Sequence, residues 1–158
     1  MNSNDDIVFL GFDPGKDGAM AFIGPHVYPT VFGFDKRTYV YWLKNLLEDG
    51  SRLFAVVEHV NAMPGQGVTS CFSFGENFGW LQGVLDTLGV SYELVRPQKW
   101  KKEFSCTSDK NTSIEVAQRL FPGVDLRRTP QCRKPHDGMA EALLLASYAK
   151  RHLGGDYA

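Results

Sequence analysis

Apolar positions follow two rhythms along the chain, and the change from one to the other marks its elements. Residues 7–13 form a short apolar run ending in Asp13-Pro14-Gly15, and residues 18–23 form another after Lys16-Asp17-Gly18, which together read as a β-hairpin. A third strand over residues 26–34 completes an antiparallel meander of the kind that short turns permit. The period then lengthens. Between residues 36 and 48, Tyr39, Val40, Leu43, Leu46 and Leu47 recur at steps of three and four, which predicts an amphipathic helix closed by Asp49-Gly50. Residues 53–58 return to a continuous apolar run, as a buried parallel strand requires.

The glycine-rich stretch 63–67 predicts a loop, followed by a long helix over about residues 70–88, ended by Gly89. Gly75, Gly79 and Gly83 repeat every fourth residue within it and so leave one helical face bare, where another helix can approach closely. A fifth strand at 92–95 precedes Pro97 and a short basic helix. Ser108 or Asp109 can cap a helix running to about Phe121, which Pro122-Gly123 stops. Residues 122–135 carry three prolines and no period, and a final helix spans about 136–151. The sum is a single α/β domain: a five-stranded mixed sheet, antiparallel meander first and parallel strands after, flanked by helices.

Length and composition fit that reading. A chain of 158 residues suits one domain with its own core, and no apolar run reaches the ~18 residues of a membrane span. The polar, acidic start Met1-Asn2-Ser3-Asn4-Asp5-Asp6 is unlike a secretory signal. Three cysteines, Cys71, Cys106 and Cys132, without Cys-x-x-Cys spacing argue against a disulfide framework or a zinc site, and point to a reducing cytoplasm. Charge is unevenly spread. Residues 96–134 hold ten Lys or Arg against four acids, a local excess of +6 in a chain of net −1, so the remainder carries −7. Such asymmetry suits a phosphate-binding face beside an acidic metal site, although a solvated basic loop and helix would look the same.

Four acids stand at telling positions. Asp13 ends the first strand, where Pro14-Gly15 turns the chain and leaves its carboxylate at the edge of the sheet where sites tend to lie. Glu58 ends the most apolar strand. Asp137 and Glu141 are four residues apart near the start of the last, otherwise apolar helix, and so share a face. Taken singly, Asp13 could shape a turn, Glu58 could sit in a buried ion pair, Asp137 could cap its helix and Glu141 could be a surface acid. If they converge, carboxylates ~4 Å apart repel by up to ~4 kcal/mol at an effective dielectric near 20, and a cation is required. Hard oxygen ligands without a nearby cysteine or histidine pair favour Mg²⁺ or Mn²⁺, two of which can activate water and stabilise the leaving oxygen of a phosphodiester.

These residues resemble the RuvC family of Holliday-junction resolvases, within the RNase H-like superfamily. The resemblance is carried by Gly11-Phe12-Asp13-Pro14-Gly15 and its hairpin, by Val56-Val57-Glu58, and by His136-Asp137-Gly138-Met139-Ala140-Glu141-Ala142-Leu143, spread over nearly the whole chain; viral and cellular members alike are of about this size, and a bacteriophage-type member is the expectation. It implies a metal-dependent endonuclease of DNA recombination and repair, a homodimer whose paired sites nick a four-way junction and leave 5′-phosphate and 3′-hydroxyl ends. Asp13, Glu58, Asp137 and Glu141 then hold the metal, and the glycine-lined helix is the candidate dimer seam. The family often places its last two ligands three residues apart. Here Gly138 occupies the earlier position, so Asp137 serves from one residue further back or His136 contributes instead. By position, Phe72 or Phe74 would stack on an unpaired base, unless both are core, and Lys101, Lys102 and Lys110 would lie near the scissile phosphate. The competing readings are an RNase H-like nuclease for another branched DNA or an RNA–DNA hybrid, a junction-binding module without catalysis, and an actin-like ATPase, for which no second phosphate loop is found.

Overall fold

The computed structural model describes residues 6–153; residues 1–5, most of the polar, acidic start that is unlike a secretory signal, lie outside them. Strands β1 (Ile7–Asp13), β2 (Ala19–Gly24) and β3 (Val27–Gly33) lead into helix α1 (Lys36–Glu48). Then come β4 (Arg52–Glu58), α2 (Val68–Thr87), β5 (Ser91–Val95), α3 (Pro97–Glu103), α4 (Lys110–Leu120) and α5 (Asp137–Leu153). The sheet order is β3-β2-β1-β4-β5. Its first three strands pair antiparallel, while β1 with β4 and β4 with β5 pair parallel, as the switch from hairpins to helical crossovers dictates. No helix among the described residues is long and apolar enough to cross a membrane.

Strand parity builds two cores. Ile7, Phe9, Phe54 and Val56 face one side, where α5 packs with Trp100, Phe104 and Ala117, while Val8, Leu10, Leu53, Ala55 and Val57 face the other, against Tyr39, Leu43, Leu81 and Leu85. Helix α1 forms where the period predicts it. Its N-cap is Asp35, whose Oδ1 accepts from the Thr38 backbone N–H at 2.8 Å, and Asp49 closes it. Asp109, rather than Ser108, caps α4, accepting from the Asn111 N–H at 3.0 Å.

Helix α5 is buried on all sides from Gly138 to Ala149, the mark of a helix enclosed by its neighbours. It lies directly on β1. A β-carbon at Gly11 would overlap the Ala142 carbonyl oxygen and the Ala146 backbone nitrogen, so only glycine permits this approach of helix to strand. Helix α2 behaves differently. A β-carbon at Gly75, Gly79 or Gly83 would meet nothing within 4 Å, so within the described residues the glycine face is turned to solvent rather than packed in a seam.

Candidate metal centre

The parity that sorts the cores also aims two of the acids. Odd-numbered β1 residues and even-numbered β4 residues face α5, so Asp13 and Glu58 emerge on the same side of the sheet. The parallel register pairs Phe12 with Val57, which brings the two strand ends level. Helix α5, held close over Gly11, then lowers Glu141 from above. One carboxylate oxygen from each of Asp13, Glu58 and Glu141 lies within 4.8 Å of the others.

Two of these carboxylates have almost left water: Glu58 is 6% and Glu141 7% exposed. Burial is the main cause raising Glu58 from 4.5 to about 7, with the charge of Glu141 adding to it and the Trp100 hydrogen bond and Lys101 opposing. Asp13 keeps some surface at the mouth of the site. Its pKa is nonetheless pushed well up, by desolvation first and then by Glu58, Glu141 and Asp137. Glu141 is also raised, by burial, against the pull of Lys101. Asp137 goes the other way: burial pushes it up, but the hydrogen bond and charge of Lys110 more than offset that.

The protein supplies only part of the needed compensation. The buried Trp100 Nε1–H donates to Glu58 Oε2 at 2.7 Å, and Lys101 Nζ stands 3.5 Å from Glu141 Oε1. Lys110 Nζ lies 2.8 Å from Asp137 Oδ2. Four carboxylates thus face two lysines, a deficit that a divalent cation fits. The donors on offer are hard oxygens, which suit Mg²⁺ or Mn²⁺.

A cleft of 680 Å³ opens over the cluster. Its walls include Asp13, Glu58, Asp137 and Glu141 together with Lys16, Lys101, Lys110, His136, Gln66, Ser70 and Phe74. Among the residues expected there, Lys101, Lys110 and Phe74 line the cleft. Lys102 is exposed on α3 and Phe72 is 74% exposed on α2, both outside the lining, so Phe72 is not core. Phe74 is half-buried, stacked on Phe78 at 6.0 Å between ring centres and held against the hairpin at Gly15. Asp137 is the acid that stands apart, outside the 4.8 Å cluster and engaged by Lys110. Sequence reasoning missed Trp100, whose partner lies 42 residues away and which nothing local marks. The segment from Asn61 to Phe74 was expected near the DNA, and the cleft lining includes Gln66, Thr69, Ser70, Ser73 and Phe74 from it; the hydroxyls among these were not singled out. Arg128, from the proline-rich loop, donates to the Lys16 carbonyl oxygen at 2.9 Å and lies 3.6 Å from Asp17, tying that loop to the hairpin beside Asp13.

No protein-family model matches the sequence, and no curated protein matches it either. Solved structures do. RuvC of T. thermophilus in complex with a Holliday junction substrate aligns over 92% of this chain and 95% of its own at a TM-score of 0.58 and 13% sequence identity. A second structure of Thermus thermophilus RuvC aligns over 91% and 96% at a TM-score of 0.56 and 16% identity. At those identities the likeness is one of fold. The five-stranded mixed sheet flanked by helices is a RuvC-like, RNase H-like fold.

Proposed function

We propose that this chain is a divalent-metal-dependent endonuclease that cleaves branched DNA, with the four-way junction as its preferred substrate. The observation that carries the proposal is the convergence of Asp13, Glu58 and Glu141 at the floor of a lysine-edged cleft, in a fold shared with a protein solved on a Holliday junction. Asp13, Glu58 and Glu141 would hold the cation, with Asp137 at the rim as the fourth acid. Bound there, Mg²⁺ or Mn²⁺ would supply activation of water and neutralisation of charge on the scissile phosphodiester, yielding 5′-phosphate and 3′-hydroxyl ends.

The chain's own residues divide the remaining work. Trp100 fixes the rotamer of Glu58 by donating to its Oε2. Lys101 and Lys110, each already against a cleft acid, are placed to draw a phosphate to the mouth and to stabilise charge that develops on its oxygens. The wall of α2 with Ser70, Ser73 and Phe74 offers hydroxyls to the backbone and an aromatic face to a base. Paired cuts need two sites. The bare glycine face of α2 is the surface we assign to a homodimer, whose twofold axis would relate the two clefts.

The test is a panel of labelled four-way junction, duplex, flap and RNA–DNA hybrid, each with Mg²⁺, Mn²⁺ or EDTA. Symmetric nicking of the junction in metal alone, abolished in Asp13→Asn, is the expected result. Preferential cutting of the hybrid or the flap would move the substrate assignment within the same fold. Junction binding without cutting in any metal would reduce the chain to a binding module.

A further inference from the structure

Helix α3 begins beside the end of the strand that carries Glu58. The parallel register of β4 and β5 pairs Glu58 with Val95, and the His59 N–H donates to the Val95 carbonyl oxygen at 2.8 Å, so the two strands end together. Pro97 opens α3, and Trp100 follows in its first turn. The indole is fully buried, in the core that includes Phe54, Val56 and Leu143. Glu58, Pro97 and Lys101 line the cleft, but Trp100 does not. It therefore stands behind the carboxylate and does not itself meet what the cleft holds.

Two contacts set that indole apart from an ordinary core ring. Its Nε1–H donates to Glu58 Oε2 at 2.7 Å. An indole nitrogen is a donor only, so the bond cannot reverse, and a donor to an ionised acceptor makes one of the stronger kinds of hydrogen bond. The ring also meets Lys101, whose Nζ stands 5.5 Å from the ring centre, within the range of a cation–π contact. The same Nζ lies 3.5 Å from Glu141 Oε1, and the lysine side chain is only 23% exposed, so the ammonium is confined between ring and carboxylate. One side chain thus touches the acid of β4 through its N–H and, through its π face, the cation that answers the acid of α5.

We infer that Trp100 is a positioning residue for both halves of the site: its N–H holds the Glu58 carboxylate for the cation, and its ring holds the Lys101 ammonium beside Glu141 on the cleft wall. This inference rests on the metal-binding reading of the carboxylate cluster and adds to it a residue that touches neither metal nor substrate. Groups that orient a metal ligand from behind ordinarily matter to affinity nearly as much as the ligands do. The two roles are separable, because the N–H and the π face are different parts of one side chain.

Replacing Trp100 by benzothienylalanine, in which sulfur takes the place of the indole N–H, deletes the donor and keeps the ring. Mn²⁺ affinity by calorimetry should then fall at least about tenfold. Phe104→Leu, which thins the same core at the end of α3, should leave that affinity near wild type, as loss of packing alone would not distinguish the two. The ring is read separately, by a double-mutant cycle on junction affinity in EDTA. A ring-fluorinated tryptophan at position 100 keeps the N–H and weakens the attraction of the π face for a cation. The loss of affinity on Lys101→Met should be at least about twofold smaller in that background than in wild type, and unchanged in the benzothienylalanine protein. Wild-type Mn²⁺ affinity in the benzothienylalanine protein, or an equal loss in Phe104→Leu, overturns the role of the N–H. An equal effect of Lys101→Met in all three backgrounds overturns that of the ring. Either result leaves the carboxylate site standing, whereas a wild type that binds no Mn²⁺ overturns the metal reading and this inference with it.

Discussion

At the scale of single residues, the carboxylate cluster sets stability and activity against each other. Asp13, Glu58 and Glu141 all have pKa values raised by burial and by one another, so the folded, metal-free protein holds protons that the unfolded chain releases. The stabilising contribution is complete below the ordinary value of about 4.5 and is lost as pH rises through about 7, where Glu58 titrates. In EDTA the melting temperature should therefore drop by several degrees between pH 5 and pH 8, a loss on the order of 3 kcal/mol for Glu58 alone. Saturating Mg²⁺ should flatten that profile, because the cation replaces the protons; thermal melts across pH with and without metal decide it, and a flat profile in EDTA would contradict the buried cluster. Glu58→Gln follows the same logic. It removes a charge the metal-free fold must tolerate, so it should melt no lower than wild type in EDTA at pH 8, yet cleave a junction about 10³-fold more slowly. Asp13 and Glu58 were legible in the sequence because each ends an apolar run, which places both at strand ends; that they share a face comes from the packing and register of β1 and β4. Trp100 was not, since a tryptophan on a short helix carries no sign of a carboxylate 42 residues away.

At the scale of elements, α5 is the part on which the site depends, and Gly11 is what lets it come close. Gly11→Ala would force a β-carbon into backbone atoms of Ala142 and Ala146, which cannot rotate away as a side chain could. Overpacking of this kind costs typically 1–3 kcal/mol and here should reach the upper end or exceed it. The shift of α5 would also draw Glu141 off the cluster, so Mn²⁺ affinity should fall along with the melting temperature; retained affinity in a folded Gly11→Ala protein would show that the helix position is not what assembles the site. Wherever the sequence pattern set bounds for an element, its edges were displaced by no more than two residues; the short helix after Pro97 was named without bounds. The sequence did not disclose this contact, because a glycine in a strand reads equally as a bulge, a bend or a close approach. The glycines of α2 present the reverse case. Their spacing was plain, but nothing among the described residues lies within 4 Å of their β-carbon positions. If that face is the seam of a dimer, Gly79→Arg should convert the protein to a monomer in sedimentation velocity and uncouple the two nicks on a junction while leaving single cuts. A wild-type monomer at micromolar concentration would remove the seam.

At the scale of the whole molecule, the distribution of charge would let a chain of net −1 hold the polyanion proposed as its substrate. The excess of +6 between Arg96 and Lys134 opposes the acidic remainder, but some of its cations already have partners within the protein. Arg127 is spent on Asp125, with Nη2 2.8 Å from Oδ2, and Arg128 ties the proline-rich loop to the hairpin through the Lys16 carbonyl. Lys102 and Lys134, by contrast, are exposed, and Lys110 sits with its ammonium at the cleft mouth. Counting charges along the sequence could not separate these two groups, because both consist of adjacent basic residues in one segment. Salt dependence can. Binding driven by phosphate contacts weakens with a slope in log K against log salt of about −0.9 per contact, so removing one contact lowers the slope by about one. Junction binding measured in EDTA between 50 and 200 mM salt should thus lose about one unit of slope in Lys134→Gln or Lys102→Gln, with the melting temperature unchanged. Arg128→Gln should do the opposite, lowering the melting temperature and loosening the hairpin that carries Asp13, while the slope stays close to wild type. Equal slopes in all three variants would place the DNA on another face of the protein, away from the basic segment and from the cleft it borders.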